Sequence, residues 1–220
     1  DQSQEEMPQD LGLALGIDFG NSQISAAVWC PDKKKADMVK FDDKSSFKST
    51  LYFSELAEKK EENESNIEQD SLNPEIGVDF TCDIVCFEEK IPLKLMAKYF
   101  FKKVIEAAKE QFNKEVNCCT ISVPHGFNTG QRNCIKEAAN QAGIKDVFII
   151  NDPLSTGIYY ISKNKLLNLE NFLIIDFGSS KLDISLLTIS KKNSIKVKTV
   201  GGDGILGGDI FDTELFKEIL

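Results

Sequence analysis

Apolar residues come in short blocks along this chain. Leu13-Ala14-Leu15-Gly16-Ile17 is a run of strand length, Asp18, Phe19, Gly20 and small polar residues follow, and a second apolar stretch covers positions 24–29. Two apolar blocks separated by a polar, glycine-containing turn predict a β-hairpin with a carboxylate at its tip. The same unit returns 158 positions later as Phe172-Leu173-Ile174-Ile175-Asp176-Phe177-Gly178-Ser179-Ser180, followed by an apolar stretch over 182–189. Between the copies the pattern is α/β. Positions 45–54 read as a short extended segment, 55–71 as a polar loop or frayed helix, and 78–87 as one strand or two. Pro92 suits the first turn of a long helix in which Leu93, Met96, Phe100, Val104, Ala108 and Phe112 recur at helical spacing. A strand over 116–123 ends at Pro124. A helix capped by Asn128 or Thr129 then presents Cys134, Ile135, Ala138, Ala139 and Ala142 on one face and stops at Gly143. After a strand over 147–150, Asn151-Asp152-Pro153 opens a further helix, with Asp152 as cap, Pro153 at its first position, and Leu154, Ile158 and Ile161 turned inward. A strand over 196–202 leads through a glycine-rich segment, 201–209, into a helix over 210–220.

The turns carry the chemistry. A glycine after a buried strand lets the backbone approach a ligand closely, and consecutive N–H groups with small hydroxyls in a tight turn form a concave anion site. Mg²⁺ keeps several waters and takes only one or two carboxylates beside substrate phosphates, which makes Asp18 and Asp176 the candidate metal-side groups. A single Asp-x-Gly can do no more than turn a hairpin; two copies with the same flanks favour the phosphate reading. Asp152 is either a helix cap or, standing beyond a strand end where ligands of open α/β sheets bind, a group that touches water or metal in the same cleft. The glycine doublets before the last helix are a candidate oxyanion site.

Composition narrows the partners. The chain has 220 residues, 41% apolar and 28% charged, enough for one large domain or two small lobes. A net charge of −9 disfavours DNA and RNA, which need clustered Lys and Arg to displace counterions. No apolar stretch is long enough for a membrane span. The acidic first ten residues lack the basic and apolar regions of a secretory signal. Six cysteines fit free thiols in a reducing compartment, and Cys82, Cys86, Cys118, Cys119 and the lone His125 do not form a zinc pattern. A cytoplasmic location is expected, with the lumen of the endoplasmic reticulum as the alternative for a processed N-terminus. Trp29 reads as a core or edge aromatic, His125 as a turn residue, and Lys33-Lys34-Lys35 as a solvated hairpin tip.

Five segments occur in order: Gly16-Ile17-Asp18-Phe19-Gly20-Asn21-Ser22; Ile121-Ser122-Val123-Pro124 with Gln131-Arg132; Ile149-Ile150-Asn151-Asp152-Pro153; Asp176-Phe177-Gly178-Ser179-Ser180-Lys181-Leu182-Asp183; and Leu206-Gly207-Gly208-Asp209-Ile210-Phe211-Asp212. Together they resemble the nucleotide-binding domain of the DnaK-type heat-shock chaperones, within the actin and sugar-kinase superfamily. The resemblance implies an α/β, actin-like ATPase (ribonuclease H-like) fold. Its expected parts are a flexible tail over 1–12, a complete first lobe over 13–168 with a shortened insertion at about 42–90, and the truncated start of a second lobe over 169–220. It further implies ATP or ADP with Mg²⁺ in a cleft between the lobes. Gly20, Asn21, Ser22 and Gln23 match the first phosphate loop, and Gly178, Ser179, Ser180 and Lys181 the second. Asp18 and Asp176 match the Mg²⁺-water carboxylates. Asp152 stands for the glutamate of the connecting segment and Asp183 for the second-loop aspartate, so that Asp152, Asp176 and Asp183 are the candidate catalytic carboxylates.

Departures from the family pattern shape the expected function. Paired threonines of the first loop are replaced by Asn21 and Ser22, and the Gly-Gly-Gly-Thr of the second by Gly178-Ser179-Ser180-Lys181. Lys181 either neutralises phosphate charge or swings into solvent. Lys59 and Lys60 lack the context of the family's catalytic lysine, and the adenosine-binding glycine loop and substrate-binding domain of the family are not expected within these 220 residues. The expectation is a divergent stress-response chaperone or co-chaperone that binds ATP weakly or hydrolyses it inefficiently. It would support folding through a partner: a J-domain co-chaperone, a nucleotide-exchange factor or a ribosome-associated complex, with unfolded polypeptide met indirectly. The alternative is an active ATP-dependent chaperone with further segments; a kinase of the same superfamily is the lesser one. The Asp-Phe-Gly at 176–178 lacks the His-Arg-Asp loop of a protein kinase.

Overall fold

The computed structural model describes residues 12–49, 83–86, 89–164, 170–190 and 194–219. The predicted segment at 55–71, with Lys59 and Lys60, lies outside them, as do 50–54 and the first part of the predicted strand at 78–87.

β1 (Leu13–Phe19) and β2 (Gln23–Cys30) form the first hairpin. The far edge of β2 pairs with both β3 (Lys35–Met38) and β4 (Ser46–Lys48). On its other side β1 runs parallel to β7 (Val116–Val123), which in turn runs parallel to β8 (Asp146–Asn151), so the sheet order is β3-β2-β1-β7-β8 with β4 off the end of β2. Alternation decides the faces: Leu13, Leu15, Ile17 and Phe19 are buried, while Ala14, Gly16 and Asp18 lie on the opposite, open face. A short hairpin of β5 (Asp83–Cys86) and β6 (Glu89–Pro92) precedes α1 (Leu93–Phe112). Pro92 therefore closes a strand, and the helix begins one residue later than expected.

α1 buries Met96, Phe100, Val104 and Ala108 of the predicted stripe, together with Phe101 and Ile105, against the sheet. α2 (Thr129–Gln141) packs beside it through Ile135, Ala138 and Ala139. Asn128 is its cap: the side chain accepts from the Gln131 N–H while Gln131 Oε1 accepts from the Asn128 N–H, a capping box. Cys119 is buried in the same core, which pushes its thiol up to about 12.

The second sheet has three antiparallel strands, in the order β11 (Ile195–Asp203), β10 (Leu182–Ile189), β9 (Glu170–Phe177). α3 (Asp152–Lys163) touches both sheets. Its inward residues differ from those expected: Pro153 and Gly157 are buried, Leu154 and Ile161 are only half-buried, and Ile158 is 50% exposed. The reason is close approach. An added Cβ at Gly157 would stand 3.0 Å from Leu187 Cδ1 and 3.3 Å from Ile195 Cδ1, so the small residues face the second sheet and Ile158 turns to the cleft. On the other side of that sheet lies α4 (Gly208–Ile219), whose Phe211 ring sits 5.9 Å from that of Phe177. Leu173, Ile175 and Phe177 remain more than half exposed there. Trp29, on β2 opposite Ala36 of β3, is exposed as well, so it is neither a core residue nor on an edge strand. Among the described residues no helix is long and apolar enough to cross a membrane, and no three His, Cys, Asp or Glu side chains are grouped to hold a metal.

Candidate functional site

The two hairpins have the same construction. In each, a carboxylate sits one residue before the pair that closes the turn: Phe19 pairs with Ile24 and Asp18 with Ser25, while Phe177 pairs with Leu182 and Asp176 with Asp183. Each turn is closed by one backbone bond. The Gly20 N–H donates to Gln23 O at 3.1 Å and the Gly178 N–H to Lys181 O at 2.9 Å. The turns are anchored differently. The Ser49 N–H donates to Ser22 O at 3.0 Å, its hydroxyl donates to Asn21 O, and the Ser46 hydroxyl donates to Gln23 Oε1 at 3.1 Å. The second turn is held by α4, whose Gly208 and Asp209 N–H groups donate to the carbonyls of Gly178 at 3.0 Å and Ser179 at 2.7 Å. Gly207 permits this approach, since a Cβ there would stand 2.3 Å from Ser179 O. The expected oxyanion site at the glycine doublets is therefore corrected: those helix N-terminal donors already serve the turn's own carbonyls.

Both turns line one cleft of about 1120 Å³, which holds Gly20, Asn21, Ser22 and Gln23 on one wall and Gly178, Ser179, Ser180 and Lys181 on the other. Asp18, Asp152 and Asp176 converge in it. Asp183 stands beside Asp176 in an adjoining chamber of about 270 Å³, together with His125. Desolvation within the cleft, onto which this open face of β1 looks, holds the Asp18 carboxyl above its usual value, the charge of Asp176 pushes the same way, and the Ser122 hydroxyl opposes them by donating at 3.4 Å. Asp152 is pushed up to about 6, chiefly by burial. The Ser122 hydroxyl and the charge of Lys181 pull it down, while Asp18 and Asp176 raise it further.

Asp152 does not cap α3. The cap position belongs to Asn151, which makes no side-chain cap bond and instead places its amide 3.2 Å from His125 Nδ1. Asp152 is the first helical residue, and its Oδ1 is buried with no hydrogen-bond partner, as is Asn21 Oδ1 in the first turn. Lys181 does not swing into solvent; its Nζ lies 2.5 Å from Asp183 Oδ2.

Ser122, read in the sequence only as part of a segment, and Ser49 are the site residues to which the sequence alone assigned no role. Ser122 sits on the parallel neighbour of Asp18, a pairing legible only once β1 and β7 are known to be adjacent in register. Ser49 reaches the first turn from beyond β4.

A family model described as Hsp70 protein matches residues 54–220. The chain belongs to the Hsp70 family. The actin-like ATPase fold of Hsp70 proteins accounts for the two sheets and the cleft between them. The matched region holds Asp152, the second turn and Asp183, and begins after the first turn. Similarity extends across nearly the whole chain in the chaperone protein DnaK of Thermoplasma volcanium, 28% identical over 95% of this chain and 35% of that protein. The heat shock 70 kDa protein 2 of Paracoccidioides lutzii is 34% identical over 67% of this chain and 22% of its own length. For the heat shock 70 kDa protein of Trichophyton rubrum the figures are 39%, 54% and 18%. The chain thus spans a fifth to a third of the length of these Hsp70 relatives.

Members of the Hsp70 family bind ATP or ADP with Mg²⁺. The residues here fit that group. Two carboxylates close enough to raise the proton affinity of Asp18 suit a hydrated divalent cation, and unpartnered buried oxygens at Asn21 and Asp152 are acceptors for water or ligand donors.

Proposed function

We propose that this chain is the nucleotide-binding part of a divergent Hsp70-type chaperone or co-chaperone, one that binds MgATP but hydrolyses it inefficiently and supports protein folding through a partner. The observation that carries the reading is the convergence of two turns with the same strand pairing and the same closing bond, each with its Asp, on one cleft. Asp18 and Asp176 would stand beside the metal through water, and the metal would supply charge neutralisation for the phosphates. The two turns would cradle the phosphate chain. Asp152, Asp176 and Asp183 would be the carboxylates nearest the reacting water.

We attribute inefficient hydrolysis to Lys181, because an ammonium on a flexible stem, even when turned to phosphate, does not reproduce the short, fixed hydroxyl of a threonine. Phosphoryl transfer to water rests on positioning and charge stabilisation, so a deleted donor costs about 2.7 to 4 kcal/mol. Here an ammonium paired with Asp183 replaces a small hydroxyl. We assign the boundary between the lobes to about residue 168 and the compartment to the cytoplasm, with a J-domain protein or nucleotide-exchange factor as the partner. The second reading, an active ATP-dependent chaperone, rests on the same cleft and on membership of the Hsp70 family.

Calorimetric titration with ATP, with and without Mg²⁺, tests the proposal. Binding is expected to require Mg²⁺ and to weaken at least tenfold in Asp18→Ala. No binding under either condition would sink the reading. Strong turnover stimulated by a J-domain protein would replace it with the second, and transfer of phosphate to a sugar would point to a kinase.

A further inference from the structure

The cleft has an uneven charge. Among the described residues that line it, Asp18, Asp152 and Asp176 are acidic and Lys181 is the sole cation. That cation is already engaged: Nζ of Lys181 lies 2.5 Å from Asp183 Oδ2, with the two side chains only 28% and 33% exposed. The first hairpin offers an internal control. Its corresponding residues, Gln23 and Ser25, are neutral, and Gln23 is held by the Ser46 hydroxyl at 3.1 Å. Only the second copy carries a cation together with its own counter-anion.

Geometry explains the pairing. Lys181 is the last residue of the turn before β10, its ammonium reaches the side chain of Asp183 on that strand, and Asp176 lies directly opposite Asp183 on β9. Two carboxylates facing each other across a strand pair repel, and Lys181 relieves that repulsion. A lysine ammonium has three donors on a flexible stem, whereas Asp183 occupies it through one oxygen. A polyphosphate entering between the turns brings more negative charge to Nζ than one carboxylate does. Lys181 also acts on Asp152 through space, which puts its charge within the cleft and not behind it.

We propose that Lys181 is a phosphate-binding residue held in reserve by Asp183, and that it exchanges its carboxylate partner for the phosphate chain of the ligand. This rests on the reading of the cleft as a polyphosphate site. Asp183 is then a positioning residue that competes for the cation, and removing its charge strengthens binding.

The test is calorimetric titration of the full chain with MgATP and, separately, with inorganic tripolyphosphate, on wild type, Lys181→Met, Asp183→Asn and the double variant. Lys181→Met is expected to weaken both ligands roughly tenfold to a hundredfold, the range for a hydrogen bond to a charged group. Asp183→Asn should tighten both by a few-fold, and the double variant should match Lys181→Met, because Asp183 acts through the lysine. Mass-spectrometric mapping of amine acylation on wild type supplies a readout that needs no variant to fold: Lys181 should become protected when tripolyphosphate is added. Unchanged affinity in Lys181→Met, weaker binding in Asp183→Asn, or unchanged acylation would each overturn the proposal. Lys181-dependent tripolyphosphate binding without MgATP binding would leave it standing and remove the nucleotide reading. If wild type binds neither ligand, both fall.

Discussion

Ile17 and Ile175 occupy the same position in two copies of one hairpin, yet the first is 2% exposed and the second 62%. Phe19 and Phe177 repeat the contrast. Local geometry is shared: the closing bond of the turn, the pairing of the strands and the placement of the carboxylate agree in both copies. What differs is the cover. α1 and α2 lie on the first copy's apolar face, whereas the matching face of the second meets α4 mainly through Phe211. Turn chemistry is therefore written in a few consecutive residues, and burial is conferred by distant ones.

The largest effect should come from those paired isoleucines. Ile17→Ala removes packed methyl groups and leaves a cavity, at an expected cost of about 2–5 kcal/mol in urea unfolding; Ile175→Ala should stay within about 0.5 kcal/mol. Equal costs would mean that the open face is covered in solution.

Next come the turn glycines. A Cβ at Gly20 would sit 2.6 Å from Gln23 O, while one at Gly178 would meet Lys181 O at 3.5 Å, an ordinary contact. Gly20→Ala is expected to cost about 2 kcal/mol and Gly178→Ala less than about 0.5 kcal/mol, read from thermal melts. A reversed order would show that clearance for a Cβ does not set the cost at these turns.

The smallest effect is a pH ramp. Asp152 titrates near 6 in the folded chain against an ordinary value of 3.8, and Asp18 is shifted the same way. A carboxyl raised on folding favours the protonated folded state. Its contribution is fully present below about pH 4 and is lost as pH rises through about 6. Discounted for solvent in the open cleft, the decline from pH 4 to 7 should be roughly 1–2 kcal/mol. Asp152→Asn should flatten it, and a ramp of unchanged slope in that variant would place its source elsewhere.

Much of this was legible in the sequence. The hairpin repeat, the helical stripe of α1 and the strand at Val116–Val123 rest on local patterns that tertiary structure has no reason to override. The capping box at Asn128 and Gln131 was legible as a cap for the same reason. What escaped the sequence depends on contacts between segments. Ile158 has helical spacing for burial but faces a cleft, because Gly157 lets α3 press its small side against β10 and β11. Asp152 has the composition of a cap, yet Asn151 takes the cap position, and the Asp152 carboxylate is left in the cleft that Asp18 and Asp176 also line. Ser122 enters the site only through the parallel register of β7 against β1.

The grip of α4 on Gly178 and Ser179 couples shape across the second lobe. With the helix's leading amides fastened to the loop and no gap at Gly207 to absorb slack, a tilt of the loop that keeps those bonds must tilt the helix axis with it. Ile219, eleven residues and about 16 Å beyond the fastening, would trace the widest arc, so a tilt of a few degrees at the loop becomes a displacement of about 1 Å at the helix end.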